Sequence, residues 1–193
     1  MRAYSELGVL GYLLIYIRES IFATLRHPAE VLATLSERYC AAATELGLRH
    51  VPNIFCDKHG SISSTHYRTL AEVVEVITSD IFEEDEPITA VIRATVSWYW
   101  ACRALNFTQA DLTALEDATA AMGAAWTALD TPAFRALLRR KRETPKRRVT
   151  LVPKFHRALT HVVDYIRRWG PLEYITTETS EAMHKPLKIM FRT

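Results

Sequence analysis

The chain has 193 residues, 49% of them hydrophobic, enough for one sizeable core or at most two small ones. Its 24 Lys and Arg against 22 Asp and Glu leave a net charge of +2, which excludes bulk charge as a reason for nucleic-acid binding and leaves only local patches. Cys40, Cys56 and Cys102 are odd in number, widely spaced and without a C-x-x-C pair, which excludes a disulfide framework and a zinc site and points to a reducing, intracellular compartment.

Helical periodicity recurs along the chain and alternating strand patterns are almost absent. The expected fold is therefore all-α, an irregular bundle of about seven or eight helices in a single domain over 1–193. Within it, 1–48 reads as a helical lead-in of unassigned role, 49–144 as a helical region and 149–193 as a closing motif. Leu7 to Ile17 is nearly all apolar. It is shorter than the ~20 residues a membrane span needs. Arg18, Glu19 and Ser20 stand where a signal peptide would place a cleavage site, so no membrane association is expected. The run reads as a buried helix, and its abrupt start implies a missing upstream neighbour.

Pro28 opens a helix with Leu32, Leu35, Tyr39, Ala42 and Leu46 on one stripe, ended by Gly47. A loop over 48–63 follows. From Ser64 or Thr65, Leu70, Val73, Val74, Ile77 and Ile81 repeat at helical spacing up to the acidic stop Glu83 to Glu86. Pro87 starts a helix carrying Ile88, Val91, Ile92, Thr95, Tyr99 and Cys102. Thr108 and Asp111 form a capping-box pattern ahead of the stripe Leu112, Leu115, Thr119, Met122, Trp126 and Leu129. Another helix begins at Pro132 and fades into cations. Pro153 opens one helix that ends at Gly170-Pro171, and a last one runs from about Thr177, interrupted by Pro186.

Three features can carry chemistry. The first is the run Arg139, Arg140, Lys141, Arg142, Lys146, Arg147 and Arg148, able to contact DNA phosphates or direct nuclear import. It reads equally as a solvated linker, with no aromatic residue interleaved to stack bases. The second is the helix from Pro153. Phe155, Leu159, Val162, Ile166 and Trp169 fall on one apolar stripe at 100° per residue, with His156 on its border and His161, Asp164 and Arg168 opposite. That spacing sets the two histidines about 140° apart, too far to share a metal unaided. The third is Glu178 to Lys185, where Glu178, Glu181, His184 and Lys185 share a polar helix face. Carboxylates one turn apart suit a hard cation such as Mg²⁺ or Mn²⁺, while Glu181 and Lys185 equally make an ordinary i,i+4 surface pair. Glu181-x-x-His184 is also half of a di-iron pattern, and no second Glu-x-x-His is present.

Pro153-Lys154-Phe155-His156, His161, Ile166-Arg167-Arg168-Trp169-Gly170 and Thr177-Glu178 through Glu181 to His184 together resemble the closing region of Plavaka-type fungal transposases, of the CACTA-like and Kyakuja–Dileera–Zisupton group. Arg49 to Phe55, His59 to Ser64 and the helices from Ala90 to Met122 are similar in pattern, so the resemblance spans about 49–193. It implies a ribonuclease-H-like core that cuts and joins DNA with two Mg²⁺ or Mn²⁺ ions, its last acid lying on a helix that follows a helical insertion. Carried over by position, Glu181 is that acid, with Glu178 second. Against the pattern, no strand-borne aspartate, second acid or cysteine/histidine cluster is recognisable before residue 48.

One carboxylate cannot hold two metals in phosphoryl-transfer geometry. The expectation is thus a truncated or decayed transposase piece, inactive on its own and without a cofactor unless another chain completes the site. The alternatives are a helical module binding DNA or a partner transposase chain through 139–148, with self-association through exposed apolar faces, and a metal-binding helical bundle. The first two imply a nuclear location.

Overall fold

A helix that is apolar on every side is stable only when other helices surround it. The first helix, α1 (Tyr4–Thr24), is of this kind, and Leu10, Leu13, Leu14, Ile17 and Ile21 on it are wholly buried. The structure is a computed structural model that describes residues 4–49, 51–55, 62–139 and 153–171; in it the side chains of 4–7, 137–139 and 154 fall outside the described set. The described residues hold eight helices and no strand. After α1 come α2 (Pro28–Glu45), α3 (Ser64–Thr78), α4 (Pro87–Cys102), α5 (Gln109–Leu129), α6 (Pro132–Arg139), α7 (Pro153–Thr160) and α8 (Val162–Trp169). No helix among the described residues is long and apolar enough to cross a membrane.

Packed on α1 are α7 and α4 most extensively, then α2, α3 and α6. The first helix of the 1–48 segment read as an unassigned lead-in is thus the centre of the bundle, its apolar surface covered by later helices of the same chain. One hydrophobic cluster runs from Val9 on α1 to Ile166 on α8. Its largest inter-helix seam lies between α4 and α5, where Trp126 Nε1 donates to Thr95 Oγ1 at 2.9 Å. Trp126 also meets Tyr16 and Phe155 edge-on, with ring centroids 4.9 and 4.8 Å away.

Local signals act as expected at two helix ends. Thr108 Oγ1 accepts from the Asp111 N–H and the Asp111 carboxylate accepts from the Thr108 N–H, so the capping box at the start of α5 is complete. After α2, Gly47 at φ +83° lets the Leu48 N–H reach Ala43 O and the Gly47 N–H reach Thr44 O, satisfying carbonyls the helix leaves open.

Three backbone placements differ from the spacing pattern. Leu46 caps α2 and is exposed rather than on its buried stripe, because α2 has already ended at Glu45. Ile81 lies beyond the end of α3, in the turn that precedes α4. The helix expected over 153–170 is two helices, with His161 between them at φ −120°, far from the helical −63°. Beside this break, the Thr160 hydroxyl donates back to His156 O at 2.6 Å, a bond that competes with the helix ladder and bends helices.

On the far side of the bundle core, Arg38 on α2 donates to both carboxylate oxygens of Asp80, at 2.5 and 2.8 Å, and to Ile77 O at 3.0 Å. This fork fixes the C-terminal end of α3 against α2. The hydrogen bond from Arg38 holds the Asp80 carboxyl below its ordinary range. A depressed folded-state pKa gives stability that is present above the unfolded value of about 4 and lost as pH falls through the folded one. Asp80→Asn is therefore expected to lower stability slightly at neutral pH, the pair being solvent-exposed, and to flatten the acid side of the thermal-stability profile, so that variant and unaltered chain converge below about pH 4. Melting temperatures from pH 2 to 7 measure this; an unaltered acid slope would remove the link.

Candidate nucleic-acid interface

Helices α7 and α8 each divide into an apolar inner side and a polar outer side. Phe155, Ala158, Val162 and Ile166 are buried, and Phe155 sits between Tyr12 of α1 and Trp126 of α5, with centroids at 5.9 and 4.8 Å. Gly123 on α5 permits close approach to α7, for a Cβ there would lie 3.3 Å from Leu159 Cδ2. With the inner side anchored in this way, the residues between the buried positions are held outward on a fixed scaffold.

The outer side brings together rings that uninterrupted helical geometry would keep apart. His156 and His161 meet edge-to-face with centroids 5.3 Å apart, and His161 lies 5.9 Å from Tyr165. This corrects the expected separation of about 140°, which assumed one helix through residue 161. The break at His161 swings its ring back toward His156, which is exposed rather than at the edge of the core. Trp169 continues the series one turn beyond Tyr165. It is 69% exposed, although its spacing placed it on the buried stripe. The reason is positional: α8 packs chiefly on α5 and α7, and Trp169 lies in its last turn, next to Gly170 at φ +83°.

Arginines flank the rings. Arg157 and Arg168 are exposed. At 100° per residue Arg168 falls about 20° from His161 and about 60° from Tyr165 around the axis of α8. Arg167 points elsewhere, donating to Glu116 of α5 at 2.6 Å and lying 3.9 Å from Asp164. It clamps α8 to α5 rather than facing a ligand. Beneath that clamp a groove of about 380 Å³ runs between α5 and α7–α8, bordered by Gly123, Leu159 and Val163. Its charged edge is Glu116, Asp164 and Arg167, two carboxylates about one guanidinium, so it offers no site for an anion.

Other expected site residues divide into two groups. Pro153 is the first, exposed residue of α7; Lys154 belongs to α7, Gly170 caps α8 and Arg139 is the last residue of α6. Arg140, Lys141, Arg142, Lys146, Arg147, Arg148, Glu178, Glu181 and His184 lie outside the described residues. Among the described residues, no group of three or more His, Cys, Asp and Glu side chains is placed to hold a metal. Cys40 and Cys102 form no disulfide, and burial raises the Cys40 thiol above its ordinary value, away from the reactive thiolate.

Sequence reasoning missed Arg157, Tyr165 and Trp169 as members of an exposed face. The available signal was the aromatic spacing 161, 165, 169, one residue per turn, with Arg168 among them. In chemical terms the face offers π-surfaces beside guanidinium groups, the combination that stacks bases and neutralises phosphates. Compared with protein-family models, curated proteins and solved structures, the chain matches none.

Proposed function

We propose that this chain is a helical DNA-binding module derived from a Plavaka-type transposase, corresponding to the helical insertion and closing helix of a ribonuclease-H-like enzyme and carrying no nuclease step of its own. The observation that carries this reading is the ring series His156, His161 and Tyr165, with Trp169, Arg157 and Arg168 exposed around it, on the segment that also bears the transposase-like motif. Phosphate contacts come from Arg157 and Arg168 together with the neighbouring run 139–148, and the rings stack on exposed bases. Glu181 and Glu178, the carboxylates that the resemblance assigns to Mg²⁺ or Mn²⁺, lie outside the described residues. Two metals need more carboxylates than one such segment supplies, so cleavage would require another chain.

Titration of labelled DNA with the purified chain across a salt series tests this. Affinity is expected to fall linearly in log–log form as salt rises, and Arg168→Ala to lessen that slope by about one counterion. Absence of binding at low salt would end the DNA reading. Incubation with DNA and Mg²⁺ or Mn²⁺ is expected to leave the DNA intact; cleavage that disappears in Glu181→Ala would overturn the inactive assignment.

A further inference from the structure

A second groove, of about 370 Å³, lies between α3, the turn that follows it, and α4. It shares no lining residue with the α7–α8 face. Phe82 and Ile92 are buried at its base, and Val76 is 74% exposed on its wall. A single exposed valine is unremarkable on a protein surface. Here, however, it stands beside two buried apolar side chains and within an acidic surround. Glu75 and Glu84 line the groove, and Glu72, Glu83 and Asp85 are exposed nearby. Of the nearby cations, Arg93 lines the groove and pairs with Glu84 at 2.8 Å, and Arg38 is committed to Asp80. The groove therefore combines an apolar wall with an excess of negative charge.

The chain itself contains a segment of matching chemistry. Seven cations between Arg139 and Arg148 are followed at once by Val149, Leu151 and Val152. We propose that the α3–α4 groove receives this 139–152 segment from a second copy of the chain, the cations along the acidic rim and the apolar end against Val76, Phe82 and Ile92. Groove and segment are different parts of the chain, so the contact is head-to-tail: one copy keeps a free segment and the other a free groove for further partners. Charge complementarity would set its rate and register, and the apolar end its hold. The inference does not rest on DNA binding, and because the same cations would serve both contacts, DNA and the groove would compete for the segment.

Sedimentation velocity of the full chain tests it. Reversible, concentration-dependent association is expected at low salt, weakening by roughly tenfold or more when salt is raised. A groove variant, Glu75→Lys with Val76→Asp, changes two exposed residues and is expected to be a monomer with an unaltered melting curve. A segment variant, Arg140→Glu with Lys141→Glu and Arg142→Glu, is likewise expected to be monomeric. An equimolar mixture of the two should associate again, because one retains the groove and the other the segment. A wild-type chain that stays monomeric, association that the variants leave unchanged, or a mixture that fails to associate would each overturn the proposal.

Discussion

Trp126→Ala is expected to lower the stability of the fold by about 3–5 kcal/mol, the range for deleting a buried large aromatic side chain. Trp126 is wholly buried on α5, and three separate effects converge there. Its removal leaves a void at the meeting of α1, α4, α5 and α7 and abolishes the edge contacts with Tyr16 and Phe155. It also takes the donor from Thr95 Oγ1, whose residue is wholly buried on α4. Trp126→Phe separates these contributions: it keeps most of the volume and loses the indole N–H, so a smaller loss is expected, on the order of 1–3 kcal/mol. Chemical denaturation of both variants measures the difference. A Trp126→Ala loss below 1 kcal/mol would mean that the α1–α4–α5–α7 junction does not hold the core together.

On the binding side, the largest single effect is expected from Trp169→Ala. Trp169 is 69% exposed, and stacking on a base is worth roughly 1–3 kcal/mol, or about 5- to 150-fold in affinity for single-stranded DNA. Duplex DNA, whose ring faces are already stacked, should be affected much less. Tyr165→Ala is expected to act in the same direction. Arg167→Ala supplies the contrast, since Arg167 joins α8 to Glu116 of α5 and should lower stability slightly with little effect on affinity. Anisotropy titrations with single-stranded and duplex oligonucleotides make the comparison. Equal affinities for Trp169→Ala and the unaltered chain would remove the rings from the interface.

What the sequence disclosed depended on how local each cause was. The Thr108–Asp111 box and the turn at Gly47 involve residues within a few positions of one another, and both were legible because their partners are neighbours in the chain. The burial of Val9, Leu10, Leu13, Leu14 and Ile17 was likewise legible from composition. Which helices would cover that surface was not, because the covering residues come from α2, α3, α4, α6 and α7. The break at His161 escaped notice for another reason. Phe155, Val162 and Ile166 keep their spacing across it and remain buried, so apolar periodicity contains no trace of the altered backbone angle. The meeting of His156 with His161 depends on that angle and was accordingly missed. For Trp169, spacing identified the stripe but could not indicate that the stripe outruns its cover in the last turn of α8.

The central position of α1 also bears on how the chain reaches its native state. Its heaviest partner, α7, is separated from it in sequence by all of α2 to α6, so the contact of Tyr12 with Phe155 closes almost the whole described chain into one loop. Helical bundles owe their fast folding to contacts between sequence neighbours, and here the most extensive contact of α1 is a distant one. During synthesis α1 would emerge well before α7 and remain without its principal cover until residues beyond Pro153 had left the ribosome. A greasy helix kept waiting in that way is a natural client for chaperones and a seed for aggregation when translation stalls.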